Sequence, residues 1–205
     1  MKKLFFSISF LLLCLYGCYV GKPLKTKSTI YITFNTETKV YSSFDGKYAK
    51  ETNWSEYKNA FINGLKSESG FYNLEVIEDE KVRTDFTLEI TKFYVSETSH
   101  SETVNDAASP YNGKSFQLSG CEANTTFVLY AGKKEKMLGE WFTSATKDEK
   151  ITNNRNFGDY VLGSNKDNSQ YRYKELDDNI CTTLSEKCGK HVIAKLTRKI
   201  AKNQK

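Results

Sequence analysis

Asp85-Phe86-Thr87-Leu88-Glu89-Ile90-Thr91-Lys92-Phe93-Tyr94-Val95 carries apolar side chains at alternate positions up to Ile90 and then on the opposite parity, at Phe93 and Val95. Successive strand residues face opposite sides of a sheet, so Phe86, Leu88 and Ile90 predict a core face and Thr87, Glu89 and Thr91 a face in water. The phase change at Lys92 predicts a β-bulge, the simplest way to keep Phe93 and Val95 inward.

Upstream, the β-branched and aromatic run Thr29-Ile30-Tyr31-Ile32-Thr33-Phe34 reads as a first strand, and Leu74 with Val76 as a second. Between them, Trp54, Tyr57, Phe61 and Leu65 recur at helical period, Asn53 and Glu56 stand at capping-box spacing, and Gly70 ends the run. Lys39 to Glu51, with Asp45-Gly46, reads as a loop or small hairpin. Downstream, Ser96 to Lys114, with Pro110 and Asn112-Gly113, also reads as loop. Ser115–Tyr130 and Lys136–Thr146 predict a hairpin joined by Ala131–Glu135, with Trp141 in the core of the pair. Lys147 to Gln170 is the longest irregular segment, anchored only by Phe157, Tyr160, Val161 and Leu162. Leu176, Ile180, Leu184, Cys188, Val192 and Leu196 follow at four-residue steps and predict a last helix over Leu176–Ile200, with Gly189 as a place for a bend. This order implies an α+β fold: a two-layer sandwich in which two helices pack on one face of a largely antiparallel mixed sheet of about five strands.

Residues 29–205 are thus read as one α/β globular domain; what precedes them reads as an address. Lys2 and Lys3 lead an apolar run, Leu4 to Leu15, that is signal-peptide length and shorter than the ~20 residues a membrane span needs. Leu15, Tyr16, Gly17 and Cys18 then resemble the lipobox of bacterial lipoproteins. That resemblance implies a signal peptide at 1–17, cleavage between Gly17 and Cys18, a diacylglyceryl thioether on Cys18, and acylation of the freed amine, as with palmitate. Cys14 fits a lipobox less well. Several acyl chains, at about 0.8 kcal/mol per buried methylene, anchor a domain stably. Tyr19, which is not an inner-membrane retention aspartate, points to the outer membrane, with the domain in the periplasm or at the surface. Residues 18–28 read as a lipidated tether.

Without Lys2 and Lys3 the 30 Lys and Arg become 28 against 25 Asp and Glu, a formal charge of +3. The charges are interspersed, which with export argues against a nucleic-acid partner.

The lipobox, the strand Thr29–Phe34, the helix Trp54–Glu68, Leu74–Asp79, Asp85–Ile90, the pair Thr126–Tyr130 and Met137–Trp141, and the closing helix together resemble the small α/β domains of Bacteroidetes-type lipoproteins. More distantly they resemble the amino-terminal domain of TolB, the curli-secretion lipoprotein and the lipoprotein activators of penicillin-binding proteins. The likeness is one of order and pattern, and implies a fold.

Beyond Cys18, the thiols of the mature chain are Cys121, Cys181 and Cys188. Seven helical residues advance ~10.5 Å, which keeps Cys181 from Cys188. A disulfide from Cys121 to Cys188, or to Cys181, is one expectation in an oxidising compartment; three buried free thiols is the other. Cys188 and His191 share a helix and are weighed as a nucleophile pair, and with Cys121 and Cys181 as a zinc set, for which the close ligand pairs are missing. His100 reads as a solvated loop residue and Glu78-Asp79-Glu80 as a charged strand end. Tyr31, Tyr41, Tyr48, Tyr160, Tyr171 and Tyr173 could line a glycan-binding or protein-binding face. No P-loop, dinucleotide fingerprint or HExxH motif occurs. The expectation is a non-enzymatic envelope lipoprotein, without cofactor or metal, that binds another envelope protein. Binding of a small ligand or glycan, and hydrolysis by Cys188/His191, are the rivals.

Overall fold

The computed structural model describes residues 23–36, 38–42, 46–105, 111–153 and 171–203. The signal peptide, Cys14, Gly17 and Cys18, the tether before Pro23, and residues 154–170 of the long irregular segment lie outside the described residues.

The elements in chain order are β1 (Ser28–Phe34), β2 (Thr38–Tyr41), α1 (Trp54–Ser69), β3 (Leu74–Ile77), β4 (Phe86–Thr103), β5 (Ser115–Ala131), β6 (Lys136–Asp148), β7 (Lys150–Asn153), β8 (Tyr171–Lys174) and α2 (Ile180–Asn203). The fold is the α+β arrangement expected, built on a six-stranded mixed sheet in the order β3-β1-β4-β5-β6, with β2 also on β4. The long strands β4, β5 and β6 form an antiparallel meander, whereas β3 on β1, and β1 and β2 on β4, are parallel. The bulge lies where the alternation breaks: Ile90 opposes Phe127 and Lys92 opposes Thr126, leaving Thr91 extra. Phe93 and Val95 therefore join Leu88 and Ile90 in the core.

Three stretches read as loop are strand. Thr38–Tyr41 is β2, with Val40 in register beside Val95. Ser96–Thr103 continues β4, and His100 is an exposed strand residue opposite Leu118. Part of 147–170 is β7, which pairs with β8 in a separate two-stranded sheet. Main-chain bonding to a neighbouring strand sets the conformation of these stretches, and from Thr98 to Thr103 it does so with side chains that are exposed.

Both helices contribute to one core with the sheet. α1 buries Tyr57, Phe61 and Leu65, as its period predicts, while Trp54 remains exposed. The capping box does not form: the Asn53 side chain makes no cap bond, and Glu56 accepts instead from the Thr182 hydroxyl of α2 (2.8 Å). Gly70 begins a 3-10 turn, and Asn73, with φ of 57°, makes the left-handed exit. Gly189 serves contact rather than a bend, inside one continuous helix. A Cβ there would lie 2.2 Å from the Phe61 carbonyl oxygen, and one on Gly64 would lie 2.0 Å from that of Glu186. The two glycines let the helix backbones touch.

Strand β6 is an edge of the sheet. Its carbonyls at Phe142 and Ser144 accept bonds from Lys195 Nζ (2.6 Å) and His191 Nδ1–H (3.0 Å) on α2. Trp141 is half-buried on Phe127, ring centroids 5.8 Å apart. No helix among the described residues is long and apolar enough to cross a membrane.

Candidate functional site

An open groove of about 610 Å³ runs between β2 and the start of α1, lined by Lys39, Val40, Tyr41, Glu51, Trp54 and Lys58 among others. Its geometry follows from local structure. Pairing with β4 turns Val40 toward the core and leaves Tyr41 52% exposed, its ring edge-on to Tyr94 at 5.8 Å. Trp54 opens α1 and is 48% exposed. Lys58 Nζ stands 4.4 Å from the Phe34 ring centroid, a cation–π contact. Two aromatic faces and two lysines, with Glu51 as the single acid among these six, make a surface suited to binding.

One wall is held by acids that sequence reasoning passed over. Glu97, buried on β4, accepts the backbone N–H groups of Tyr48 (2.9 Å) and Ala49 (3.0 Å) through Oε2, while its Oε1 has no partner. Glu149, buried after β6, accepts the Tyr48 hydroxyl (2.5 Å) and the Ser119 N–H (2.7 Å) and lies 3.6 Å from Lys47 Nζ. Tyr57 accepts from the Lys50 N–H and donates to the Tyr48 carbonyl. The strap Lys47–Lys50, which leads into Glu51, is thereby fastened to the sheet. Burial raises the Tyr48 hydroxyl above the ordinary tyrosine range, and hydrogen bonding to Tyr48 raises Lys47, so the pair stays protonated at neutral pH.

The tyrosines singled out from sequence do not gather on one face. Tyr48 is core, Tyr41 borders the groove, and Tyr31 lines a small hollow with Lys133 and Lys134. Tyr160 and the side chains of Tyr171 and Tyr173 lie outside the described residues.

Cys121, Cys181 and Cys188 are buried free thiols. Of the two partners expected for Cys121, Cys188 or Cys181, it is Cys181 that it meets; the hydrogen bond with Cys181 together with burial raises the Cys121 thiol, while Cys188 Sγ faces the Thr143 carbonyl at 3.9 Å. Burial pushes the Cys188 thiol up to about 12, and the His191 Nδ1 is engaged at Ser144. Burial thus disfavours the thiolate that a cysteine nucleophile must supply, while the bond made by Nδ1 leaves Nε2 as the ring nitrogen of His191 able to accept a proton. Among the described residues no group of three or more His, Cys, Asp and Glu could hold a metal ion. Glu78 pairs with Lys66, and Asp79 accepts the Lys81 N–H, as a strand-end turn.

No family profile matches the chain, and no curated protein does. Solved structures similar to it include a protein from Helicobacter pylori described as a neuraminyllactose-binding hemagglutinin homolog, at 13% identity and a TM-score of 0.49, covering 90% of this chain and 91% of that one. The minor lipoprotein from Acinetobacter baumannii is similar at 8% identity and a TM-score of 0.34, with 87% and 95% covered. The rare lipoprotein B from Shewanella oneidensis is similar at 7% and 0.35, with 83% and 100% covered. Likenesses this loose carry no argument about role.

Proposed function

We propose that this chain is a bacterial envelope lipoprotein, held at the outer membrane by acylated Cys18, whose domain binds an envelope protein through the groove between β2 and α1. It performs no chemistry of its own in this reading. The observation that carries it is the concave surface bearing half-exposed Tyr41 and Trp54 beside Lys39 and Lys58. Tyrosine and tryptophan dominate binding hot spots because a large rigid ring is desolvated with little lost rotamer entropy. The lipobox Leu15–Cys18 supports the anchor, and the +3 charge after the signal, dispersed along the chain, supports a partner other than nucleic acid.

A photo-crosslinking residue placed at Tyr41 in living cells should trap one envelope protein reproducibly, and Trp54→Ala should abolish that adduct. Absence of any adduct from Tyr41 would overturn the protein-binding reading. A second reading, a glycan ligand, is favoured by the two ring faces open to the groove, against which sugar C–H surfaces stack. Quenching of Trp54 fluorescence by soluble envelope polysaccharide, without any protein adduct, would select it. Blocking of processing by globomycin, and an intact mass beginning at acylated Cys18, are the expected results for the anchor.

A further inference from the structure

Phe71 is 75% exposed, the most exposed large apolar side chain among the described residues, and no described residue covers it. It sits in the 3-10 turn Gly70–Tyr72 at the end of α1. That turn is where the amino-terminal chain is tied down. The Leu24 N–H donates to the Tyr72 carbonyl (3.0 Å), the Asn73 side chain donates to the Leu24 carbonyl (3.0 Å), and Ser28 N–H donates to the Asn73 carbonyl (3.0 Å). Leu24 is itself buried. The tether from Cys18 thus ends at Leu24, earlier than the sequence suggests, and an extended chain reaches only ~3.3–3.6 Å per residue, about 20 Å here.

From these facts we infer that the Phe71 turn rests in the headgroup layer of the bilayer that holds the lipid, so that the domain has a fixed orientation at the membrane. The inference rests on acylation of Cys18. An aromatic ring is favoured in that layer, and basic side chains reach headgroup phosphates from beside it.

The same end of the sheet supplies such groups. β1, β3 and β4 begin there and β5 ends there, as the register Ser28↔Leu74, Ile30↔Phe86 and Phe86↔Ala131 requires. Lys25, Lys81 and Arg83 have no ion pair among the described residues, and Val82 is 42% exposed. Asp85, an exposed acid at this end, is engaged by the N–H and hydroxyl of Thr29. Glu80 and Glu135 also lie at this end, so net attraction to phosphate is modest and the apolar turn carries the contact. The 16 residues of α1, at 1.5 Å each, then carry the Tyr41/Trp54 groove about 24 Å from Phe71.

The test uses the full chain, acylated in a bacterial host and reconstituted into vesicles of phosphatidylethanolamine and phosphatidylglycerol with or without brominated acyl chains. In Phe71→Trp, bromolipid should quench most of the emission added over wild type. In Tyr111→Trp, on the opposite end of the β4–β5 hairpin, it should leave the added emission unchanged. Equal quenching of the two, in a preparation whose mass shows acylated Cys18, overturns the inference and leaves the lipoprotein reading standing. A mass without acyl groups overturns both. Phe71 is open to solvent, so the substitution leaves the fold intact, which circular dichroism checks.

Discussion

The two ends of the domain are secured by different means. At the end where Leu24 is tied, neighbouring segments are joined mainly by backbone hydrogen bonds: Leu24 to Tyr72, Ser28 to Asn73, Asp85 to Thr29 and Gly132 to Asp85. Beside the groove, the strap Lys47–Lys50 is fastened chiefly by side chains, above all the buried carboxylates of Glu97 and Glu149. Main-chain bonding survives many substitutions; a buried carboxylate holding two N–H groups does not. The groove end therefore depends on a few residues, and the other end on pairing.

Gly189→Ala should break both ends together. The substitution improves helix propensity by about 1 kcal/mol, but its Cβ meets backbone at 2.2 Å, so the helices must part. Overpacking of this kind should lower unfolding free energy by about 3 kcal/mol, measured by denaturant titration. Glu97→Ala should loosen the groove end alone. It leaves the Tyr48 and Ala49 N–H groups buried without acceptors, at about 2 kcal/mol, and amide exchange should speed there while the Leu24–Asn73 region stays protected.

Asp85→Ala gives the matching experiment at the other end. It removes two bonds to Thr29 at an exposed site, and about 1 kcal/mol should be lost, because the backbone ladder between β1 and β4 remains. Lys134, paired with Glu89 at 2.8 Å, holds that carboxyl below the usual glutamate range. A depressed folded value means the pair stabilises fully above the unfolded pKa of about 4.3 and loses its effect as pH falls through the lower folded value. With Lys134 half exposed, about 0.5 kcal/mol is expected, and Lys134→Met should flatten the acid limb of the stability–pH curve by that amount. Smallest in stability is Trp54→Ala, within about 0.5 kcal/mol in thermal unfolding. Its effect belongs to binding, since the crosslink from Tyr41 should disappear.

Periodicity made the central architecture readable. Phe86 to Val95 announced both strand and bulge, and the four-residue steps from Leu176 announced the last helix, whose described range begins at Ile180. β2 escaped because four residues, with Val40 and Tyr41 adjacent as their apolar pair, are too few to show an alternation. The outer half of β4 escaped because Ser, Thr and Glu occupy both parities and the ladder, not a core, keeps them extended. The groove was misread at its most informative residue: Trp54 fits the helical stripe of Tyr57 and Phe61, yet it belongs to the surface. Glu97 and Glu149 look like solvated charges in sequence, since a buried acid is recognisable only once its donors, far away in the chain, are in place. Gly64 and Gly189 are likewise silent until both helices are seen to meet.

The rim of β6 completes the picture. Strand margins invite strands from other molecules, because unpaired carbonyls and amides are a template for further pairing. Here the carbonyls of Phe142 and Ser144 are already occupied by Lys195 and His191. Copies crowded side by side would meet, at these two positions, acceptors already engaged from within the same molecule, which disfavours the addition of a further strand there.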